Sequence, residues 1–172
     1  MPLALSCMPQ GNLPPTAALY LPTPLGRMYL AANEAGLTAV SLGTGPGVLP
    51  GTASREAFTL LERAVRELDQ YFSGRRRQFD LPVCLPGTPF QHRVWHALCT
   101  IPYGETRSYA EVAALAGSPR ACRAVGMANH NNPIMILVPC HRVIESSGAL
   151  GGYGGGLAAK SLLLDLEQRR PY

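Results

Sequence analysis

Apolar and polar positions near the start of the chain alternate as they do in short β-strands. The segments "RMYLAA" and "LTAVSL" fit this pattern, and Asn33-Glu34-Ala35-Gly36 between them is typical of a tight hairpin turn. Further along, apolar residues recur at the three- and four-residue spacing of one helix face, followed by a stop signal. These positions are Phe58, Leu61, Val65, Leu68 and Phe72, with Ser73-Gly74 after them. The pattern therefore predicts a hairpin followed by a helix, an α/β arrangement.

Prolines mark both ends of this region. They interrupt the first 24 residues, which predicts a poorly ordered start. The segment "QFDLPVCLP" is apolar enough for another strand, and its prolines indicate a boundary near residue 86. We therefore predict an α/β domain over residues 1–86 and a second domain over residues 87–172.

The second domain changes to a helical pattern that opens on an N-cap signature. Thr88-Pro89-Phe90-Gln91 combines a capping threonine, a proline at the first helical position and a capping-box glutamine. Ser108-Tyr109-Ala110-Glu111 is a second capping box, and it predicts a short helix that ends at Gly117. Ser118-Pro119 then predicts a third helix directly after it. Two short helices joined by a glycine turn form a helix-turn-helix pattern, which many helical hairpins share without binding anything.

The third predicted helix carries mostly small side chains. Between Ala121 and Ala128 the only long polar residue is Arg123, and we expect it to be the only side chain of this helix able to reach into a base stack. Small residues let a helix approach the minor groove of DNA, which is only about 6 Å wide. They serve tight helix–helix packing equally well, so the spacing alone leaves both interpretations open.

Composition narrows the class of protein. The chain has 172 residues and a formal net charge of +4. It contains neither a run of roughly 20 apolar residues nor a basic-then-apolar leader, so we expect a soluble, non-secreted protein. The modest positive charge permits nucleic-acid binding without proving it. Cysteine spacing does not suggest disulfides, which favours free thiols in a reducing compartment. The cysteines are Cys7, Cys84, Cys99, Cys122 and Cys140.

The segment "ILVPCHRVI" places a cysteine beside a histidine and an arginine directly after an apolar run. A thiol reacts as its thiolate, and an imidazole can take the thiol proton directly or through water. The pattern thus favours a nucleophilic Cys140 assisted by His141. A zinc site fits poorly because the sequence has no CxxC. His92 and His96 are one helical turn apart, but their helix lacks the glutamate of a metalloprotease. If Cys140 were only a buried structural cysteine, His141 and Arg142 would also have to be buried or to turn out of the core, which makes this alternative chemically unusual.

Two further features lie near the C-terminus. Glu167 shares a helical face with Lys160 and two leucines, which makes it a candidate to orient His141. Most glutamates on a terminal helix are simply solvated, so this alternative stays open. The segment "GGYGGGLAAKS" has neither the second glycine of a phosphate loop nor a GxGxxG frame. We therefore expect a mobile or close-packed loop around Tyr153.

Three longer segments together resemble one known family. They are "GTPFQHRVWHALCTIPYGETRSYAEVA", "RAVGMANHNNPIMILVPCHRVI" and "SSGALGGYGGGLAAKSLLLDLE", and they run from about Gly87 to Glu167. They closely resemble the O6-alkylguanine-DNA alkyltransferases, the methylated-DNA–protein-cysteine methyltransferases. The N-terminal half matches more loosely, through "TPLGRMYLAANEAGLTAVSLG" and "LDQYFSG". The resemblance implies a ribonuclease H-like α/β first domain and a mostly α second domain with a winged-helix-like helix-turn-helix.

The resemblance implies direct reversal of DNA damage without a cofactor. In the family, the helix-turn-helix docks in the minor groove of double-stranded DNA and an O6-alkylated guanine is flipped out of the duplex. The cysteine then takes the alkyl group irreversibly, once per molecule, and O4-alkylthymine is a second expected substrate. Cys140 would be the acceptor, His141 would act through a water under the orientation of Glu167, and Asn132 would brace the turn. Lys160 matches a lysine near the leaving oxygen.

The resemblance also assigns residues that would bind the lesion and the DNA. Arg123 would fill the gap left by the flipped base, and Tyr109 would donate a hydrogen bond to the guanine and help rotate the phosphate. The guanine would be framed by backbone groups of Cys140, Val143 and Gly154 and by the ring of Tyr153. The remaining DNA contacts would come from Ser118, Ala121, Ala124 and Ser146.

Departures from the family pattern matter as well. Some relatives bind structural zinc through N-terminal cysteines and histidines, but Cys7 is the only such residue here before Cys84, so no metal site is implied. Relatives with tryptophan at the acceptor position bind lesions without repairing them, and the retained Cys140 favours true transfer. A non-catalytic lesion sensor and a Cys-His hydrolase are the alternatives. We expect a monomer, with cooperativity on DNA left open, in the cytoplasm and on the nucleoid when bound to DNA, or in the nucleus of a eukaryotic host.

Overall fold

The computed structural model describes residues 14–48, 51 and 53–168. The chain divides into two compact units, Met1–Pro86 and Gly87–Tyr172. Within the described ranges, no helix is long and apolar enough to cross a membrane.

The first unit is a three-stranded antiparallel sheet with one helix packed against it. The strands are β1 (Ala17–Thr23), β2 (Gly26–Asn33) and β3 (Gly36–Leu42), in the order β1-β2-β3, and the helix is α1 (Arg55–Phe72). Helix α1 contacts all three strands. The predicted hairpin is confirmed: Asn33 pairs with Gly36, and its side-chain oxygen accepts hydrogen bonds from the amides of Ala35 (2.9 Å) and Gly36 (3.2 Å).

Strand β1 corrects the expectation that the first 24 residues are poorly ordered. Residues 17–23 pair with β2 along their whole length, and the rings of Tyr20 and Tyr29 lie 5.5 Å apart across the ladder. The strand contains a proline, Pro22, a residue that the sequence analysis took as a sign of poor order. It is tolerated because β1 is an edge strand, where one side of the backbone needs no partner. Residues 1–13, with Cys7, lie outside the described residues.

The strand predicted for "QFDLPVCLP" is wrong. This segment makes a single isolated parallel bridge, in which Leu37 donates to Pro82 (2.9 Å) and Cys84 donates to Leu37 (2.7 Å). Pro82 has no N–H with which to continue the ladder. Alternate residues of the segment are nevertheless buried, as in a strand, because it runs close to the hairpin: a Cβ on Gly36 would come within 2.8 Å of the Pro82 carbonyl oxygen.

Helix α1 is confirmed, but its buried face is rotated from the predicted one. Phe58 is 46% exposed, whereas Leu68 is fully buried. The predicted Leu61 and Leu68 are part of the buried stripe, and its other apolar members were not predicted: Ala57, Leu60, Ala64 and Tyr71. Buried Glu67 completes this face, since its carboxylate pairs with Arg76 at 3.2 Å and accepts from the Asp80 amide at 3.0 Å.

The second unit is mostly helical. Its elements are α2 (Pro89–Cys99), β4 (Arg107–Ser108), α3 (Tyr109–Leu115), α4 (Cys122–His130), a 3₁₀ turn (Cys140–Arg142), β5 (Val143–Ile144) and α5 (Leu157–Gln168). Both predicted capping boxes are present, at Thr88 and Ser108. The third helix does not begin at Ser118-Pro119 as predicted. These residues form a turn, and α4 starts at Cys122 without a side-chain cap.

The parallel pairing of β4 with β5 connects the helix-turn-helix to the cysteine segment. Arg107 pairs with Val143 and Ser108 with Ile144. Because α3 follows β4 directly and the 3₁₀ turn precedes β5 directly, this ladder brings the start of α3 close to Cys140. On the other side, the Trp95 indole donates to the Ala128 carbonyl at 3.0 Å and joins α2 to α4.

The rotated face of α1 generates a stability prediction. Leu68→Ala should lower the free energy of unfolding by about 2–5 kcal/mol, because it leaves a cavity in the core of the first unit. Phe58→Ala should cost less than about 1 kcal/mol, since nearly half of that side chain is already solvated. Urea denaturation followed by circular dichroism measures both values. A larger loss for Phe58→Ala than for Leu68→Ala would show that Phe58 lies on the buried face of α1, as the sequence periodicity predicted.

Candidate active site

Cys140 opens the 3₁₀ turn and is almost entirely buried, with 5% of its surface exposed. Asn132 holds the chain in this conformation. Its side-chain nitrogen donates to the Val138 carbonyl at 2.8 Å and to the Cys140 sulfur at 3.2 Å, while its oxygen accepts from the Ile134 amide at 3.0 Å. One side chain thus fixes both ends of the segment that leads to the thiol and touches the thiol itself, in agreement with the bracing role expected for it.

The same segment contains a backbone outlier. Ile136 has a φ of 74°, a left-handed conformation that a β-branched residue rarely adopts. Such a residue costs on the order of 1–3 kcal/mol and persists only where its surroundings hold it. Here the hydrogen bonds of Asn132 to Ile134 and Val138 span it on both sides. The turn that presents Cys140 is therefore held in place at a cost in free energy.

Behind the thiol lies a buried cluster centred on Glu167. Arg142 donates to both of its carboxylate oxygens, at 2.8 and 3.0 Å, and His141 Nε2 lies 2.8 Å from Oε1. The Gly104 amide donates to Oε2 at 3.1 Å. Arg142 also donates to the Ile101 carbonyl at 2.7 Å. The sequence interpretation paired Glu167 with His141 and missed Arg142, which looked like one more basic neighbour of the cysteine.

This cluster fixes the tautomer of His141. Burial alone would raise the pKa of Glu167, but the hydrogen bonds and charges of His141 and Arg142 outweigh burial and lower the pKa well below its ordinary value. An ionised carboxylate can only accept hydrogen bonds, so His141 must donate from Nε2. In the neutral imidazole, Nδ1 then carries the lone pair. Nδ1 is buried and has no hydrogen-bond partner among the described residues, so it is free to take a proton.

Burial also sets the resting state of the reactive pair. It raises the pKa of the Cys140 thiol, and the hydrogen bond from Asn132 and the positive charge of Lys160 offset only part of that rise. Burial lowers the pKa of His141, and its hydrogen bond to Glu167 offsets part of that fall. At neutral pH the site therefore holds a protonated thiol beside a neutral imidazole, a nucleophile and the base that can activate it.

Lys160, which the resemblance matched to a lysine near the leaving oxygen, is held by backbone carbonyls. Its side chain is fully buried, and its ammonium group donates to the carbonyl oxygens of Val143 (2.6 Å), Leu150 and Gly152 (3.2 Å). All three protons are therefore engaged by the protein. These bonds join α5 to β5 and to the loop that follows it, and the positive charge of Lys160 favours the thiolate of Cys140.

A cavity of about 580 Å³ opens in front of the sulfur. Five of the residues predicted for the site line it: Tyr109, Arg123, Cys140, Tyr153 and Gly154. The other lining residues were not predicted: Cys122, Gly126, Asn129, His130 and Gly152. Tyr109 is closely packed against the loop after β5, since a Cβ on Gly151 (φ +65°) would come within 3.1 Å of the Tyr109 hydroxyl. The cavity is large enough for a planar base and has a nucleophile in its wall.

The remaining predicted residues lie elsewhere. Val143 is buried, its amide donates to the Cys140 carbonyl, and its own carbonyl accepts from Lys160. Ser146 lines a separate shallow depression beside Arg107. Ser118, Ala121 and Ala124 lie at the turn and on the first residues of α4, outside the cavity wall. Among the described residues, no group of three or more histidine, cysteine or acidic side chains could hold a metal ion.

The outer face of α4 corrects one expectation. Arg123 is exposed, but it is not the only side chain of this helix long enough to reach into a base stack. Met127 lies one turn further along and is 60% exposed, and Ala128, counted among the small residues of the stripe, is buried. The helix therefore presents Arg123, the apolar Met127 and, at its last residue, His130 on its solvent side.

Comparisons with known proteins agree on one family. The family model described as "6-O-methylguanine DNA methyltransferase, ribonuclease-like domain" matches residues 18–85, and the model described as "6-O-methylguanine DNA methyltransferase, DNA binding domain" matches residues 89–169. A methylated-DNA–protein-cysteine methyltransferase of Methanosarcina barkeri is 49% identical over 147 residues, 85% of this chain and 93% of that protein. The constitutive methylated-DNA–protein-cysteine methyltransferase of Bacillus subtilis is 46% identical over 152 residues, 85% of this chain and 92% of that protein.

A solved structure extends the comparison to three dimensions. The crystal structure of Mycobacterium tuberculosis OGT in complex with DNA matches with a TM-score of 0.78 and 48% identity. The match covers 88% of this chain and 92% of that one. The expected architecture, a ribonuclease-like α/β domain followed by a mostly helical DNA-binding domain, is confirmed.

The Glu167 cluster predicts a change in thiol reactivity. Glu167→Gln removes the charge that stabilises a protonated His141, so the pKa of the Cys140 thiol should rise further and its reaction with iodoacetamide should need a higher pH. The midpoint of the rate-against-pH curve should move up by about one unit or more. The rate is measured by mass spectrometry of the Cys140 peptide at a temperature where circular dichroism shows the variant folded.

Asp165→Asn is the matched control, because Asp165 is exposed on the same helix and its loss changes the net charge equally. It should leave the curve in place. An unchanged midpoint in Glu167→Gln would mean that the carboxylate only stabilises the fold.

Proposed function

The chain belongs to the 6-O-methylguanine DNA methyltransferase family, and we propose that it repairs DNA by transferring an alkyl group from the O6 atom of guanine to Cys140. The observation that carries this proposal is the buried thiol of Cys140 in the wall of a base-sized cavity, with the buried imidazole of His141 next to it in the chain. The Glu167 cluster orients the imidazole of His141 and leaves its Nδ1 able to accept a proton. It supplies the base that an otherwise unreactive thiol requires.

In the proposed reaction, the thiol proton passes through a water molecule to Nδ1 of His141 while Nε2 keeps its hydrogen bond to Glu167. The sulfur attacks the alkyl carbon, a carbon–sulfur bond forms and the carbon–O6 bond breaks. The electron pair of that bond stays on O6, and protonation restores an ordinary guanine. Tyr109, whose hydroxyl lies at the cavity wall, donates a hydrogen bond to the departing base. The pKa of Tyr109 is raised, first by burial and then by the Cys140 charge, so its hydroxyl stays protonated.

The product explains why the protein acts once per molecule. A thioether has no leaving group that water or a side chain can displace under ordinary conditions. The reaction is balanced without a cofactor, because the thiol supplies both the nucleophile and the proton. The alkylated protein is therefore an end product, and repair is stoichiometric.

The protein binds DNA through its second domain, in keeping with the DNA-binding family model over residues 89–169. We propose that α3 and α4 dock in the minor groove, where Ala121 and Ala124 allow close approach, and that Ser118 and Ser146 contact phosphates. The lesion is flipped into the cavity, and Arg123 occupies the space it leaves. Backbone groups of Cys140, Val143 and Gly154 hold the guanine against the ring of Tyr153. The Val143 carbonyl, which already accepts a hydrogen bond from Lys160, contributes its second lone pair.

The remaining features of the proposal follow from the same chemistry. O4-alkylthymine presents an alkyl carbon on a comparable exocyclic oxygen and is a second substrate. We propose that the protein acts as a monomer in the cytoplasm, on the nucleoid when DNA is bound. Since transfer is intramolecular within one protein–DNA complex, a second subunit is not required for the chemistry.

Cys140→Ala should abolish alkyl transfer and leave binding to alkylated duplex DNA nearly intact, because phosphate and groove contacts dominate affinity. Mass spectrometry after incubation with O6-methylguanine DNA detects transfer as the mass of one methylene, and fluorescence anisotropy measures binding. Cys99→Ala is the control: burial raises the pKa of that thiol to about 12, so its loss should not reduce transfer. Transfer at the wild-type rate to another cysteine in Cys140→Ala would refute the assignment. Binding without transfer by the wild-type protein would favour a lesion sensor.

Arg123→Ala should lose at least tenfold in transfer rate on duplex DNA while reacting with free O6-benzylguanine at a near-normal rate. A flipped base leaves a gap that costs a few kcal/mol, and a side chain in the gap recovers part of that cost only when a duplex is present. Single-turnover rates on both substrates measure the difference. Arg66→Ala, an exposed position on α1, controls for the loss of one positive charge.

Met127→Ala extends this experiment, because Met127 is a long exposed apolar side chain of α4, one turn after Arg123. If Arg123 occupies the gap, Met127→Ala should have the smaller effect on duplex DNA. A larger effect would assign that role to the methionine. Equal losses of Arg123→Ala on the duplex and on the free base would mean that Arg123 supports the cavity instead.

A further inference from the structure

Buried polar atoms without partners are concentrated around the thiol. Among the described residues, five buried side-chain atoms have no hydrogen-bond partner, and four of them belong to Asn129, His141 and Tyr153. Asn129 and Tyr153 line the cavity, and His141 adjoins Cys140. Such atoms are rare in native structures because each one loses its hydration without compensation. Their clustering indicates that a ligand completes the site.

Asn129 is the member of this group that the proposed chemistry does not use. Both polar atoms of its amide are buried and without a partner, although the residue lies in the cavity wall. Asn129 is also close to the reacting sulfur. Its backbone carbonyl accepts a hydrogen bond from the backbone amide of Asn132 at 3.2 Å, and the side chain of Asn132 contacts Cys140. The terminal torsion of asparagine is broad, so the amide can turn towards a ligand at little cost.

The chemistry of an amide restricts what that ligand offers. A carboxamide presents one acceptor and one donor side by side, so its partner must present a donor next to an acceptor. The Watson–Crick edge of an O6-alkylated guanine has this arrangement, with the amino group at C2 as donor and an unprotonated N1 as acceptor. In intact guanine N1 carries a hydrogen and cannot accept. The same edge carries the O6 substituent, so a base that directs its alkyl group at Cys140 brings N1 and the amino group towards neighbouring residues.

We infer that Asn129 is a specificity-determining residue that pairs with this edge, its oxygen accepting from the amino group and its nitrogen donating to N1. The inference rests on the proposed function and identifies how that site distinguishes a lesion from an intact guanine. An intact base in the cavity would leave the amide nitrogen of Asn129 facing the N1 hydrogen, donor against donor. The arrangement therefore rejects undamaged guanine before the thiol is committed.

The test uses one duplex with three lesions: O6-methylguanine, O6-methylhypoxanthine, which lacks the amino group, and O6-methyl-1-deazaguanine, which lacks N1. Single-turnover transfer rates are measured for the wild-type protein, Asn129→Leu and Asn129→Asp. Deleting an atom of the base changes the leaving group equally for all proteins. Only the change in the rate ratio between lesions, from wild type to variant, reports the contact with Asn129.

Asn129→Leu should be less sensitive to both deletions than the wild type, by about threefold to tenfold each, the worth of one hydrogen bond. Asn129→Asp keeps the acceptor and loses the donor, so it should retain the penalty for removing the amino group and lose the penalty for removing N1. A purely structural role could slow transfer from every lesion but could not separate the two deletions. Identical rate ratios in wild type and both variants would overturn the inference.

Asn131→Leu is the matched control, since Asn131 is an exposed asparagine two residues away and should preserve the wild-type ratios. If Asn129→Leu does not fold, Asn129→Asp alone still separates the two deletions. If the wild-type protein transfers no methyl group from O6-methylguanine, the proposed function is wrong and this inference falls with it. Wild-type transfer with unchanged variant ratios refutes the inference only.

Discussion

The buried ion pair between Arg142 and Glu167 determines how the second unit positions His141 and the turn that carries Cys140. Removing two charges from water is costly, and the pair survives because nearly every polar atom in it is used: both carboxylate oxygens, the guanidinium group, the Gly104 amide and the Ile101 carbonyl. It joins α5 to the turn that carries the cysteine and to the chain leaving α2. The same pair keeps Glu167 ionised, and this alone settles which nitrogen of His141 carries the hydrogen. Structure and reactivity thus depend on one interaction.

This constraint accounts for an apparent contradiction at Cys140. A nucleophile is expected to have a lowered pKa, yet burial raises it here. A protein that reacts once has a reason to keep its thiol protonated at rest, because oxidation or stray alkylation of an exposed thiolate would use up the molecule. Activation can then depend on His141, whose Nδ1 is free to accept the proton when a substrate fills the cavity. Burial protects the thiol, and the base restores its reactivity where it is needed.

Local signals were the ones the sequence predicted well. Capping boxes at Thr88 and Ser108 and the turn at Asn33 are encoded within four residues, and all three are present. The errors came from tertiary context: an edge position made proline acceptable in β1, and Pro82 limited the following segment to one bridge. The cysteine and histidine were identifiable because they are adjacent. Arg142 and Asn129 were not identifiable from the sequence. The partner of Arg142 is 25 residues away in the chain, and Asn129 becomes a candidate only because the fold places it in the cavity wall.

Lys160 shows how far a residue's role can depend on such context. The resemblance matched it to a lysine near the leaving oxygen, and in the structure its ammonium group donates to the carbonyl of Val143 in β5 and to the carbonyls of Leu150 and Gly152 in the following loop. A lysine buried for this purpose has its pKa lowered by burial, with the Cys140 and Glu145 charges offsetting part of that fall. The coupling is mutual, since the lysine charge favours the thiolate that in turn favours the charged lysine. The loop after β5 and the nucleophile are therefore linked through one charge: the ammonium group that binds the loop carbonyls also favours the thiolate of Cys140.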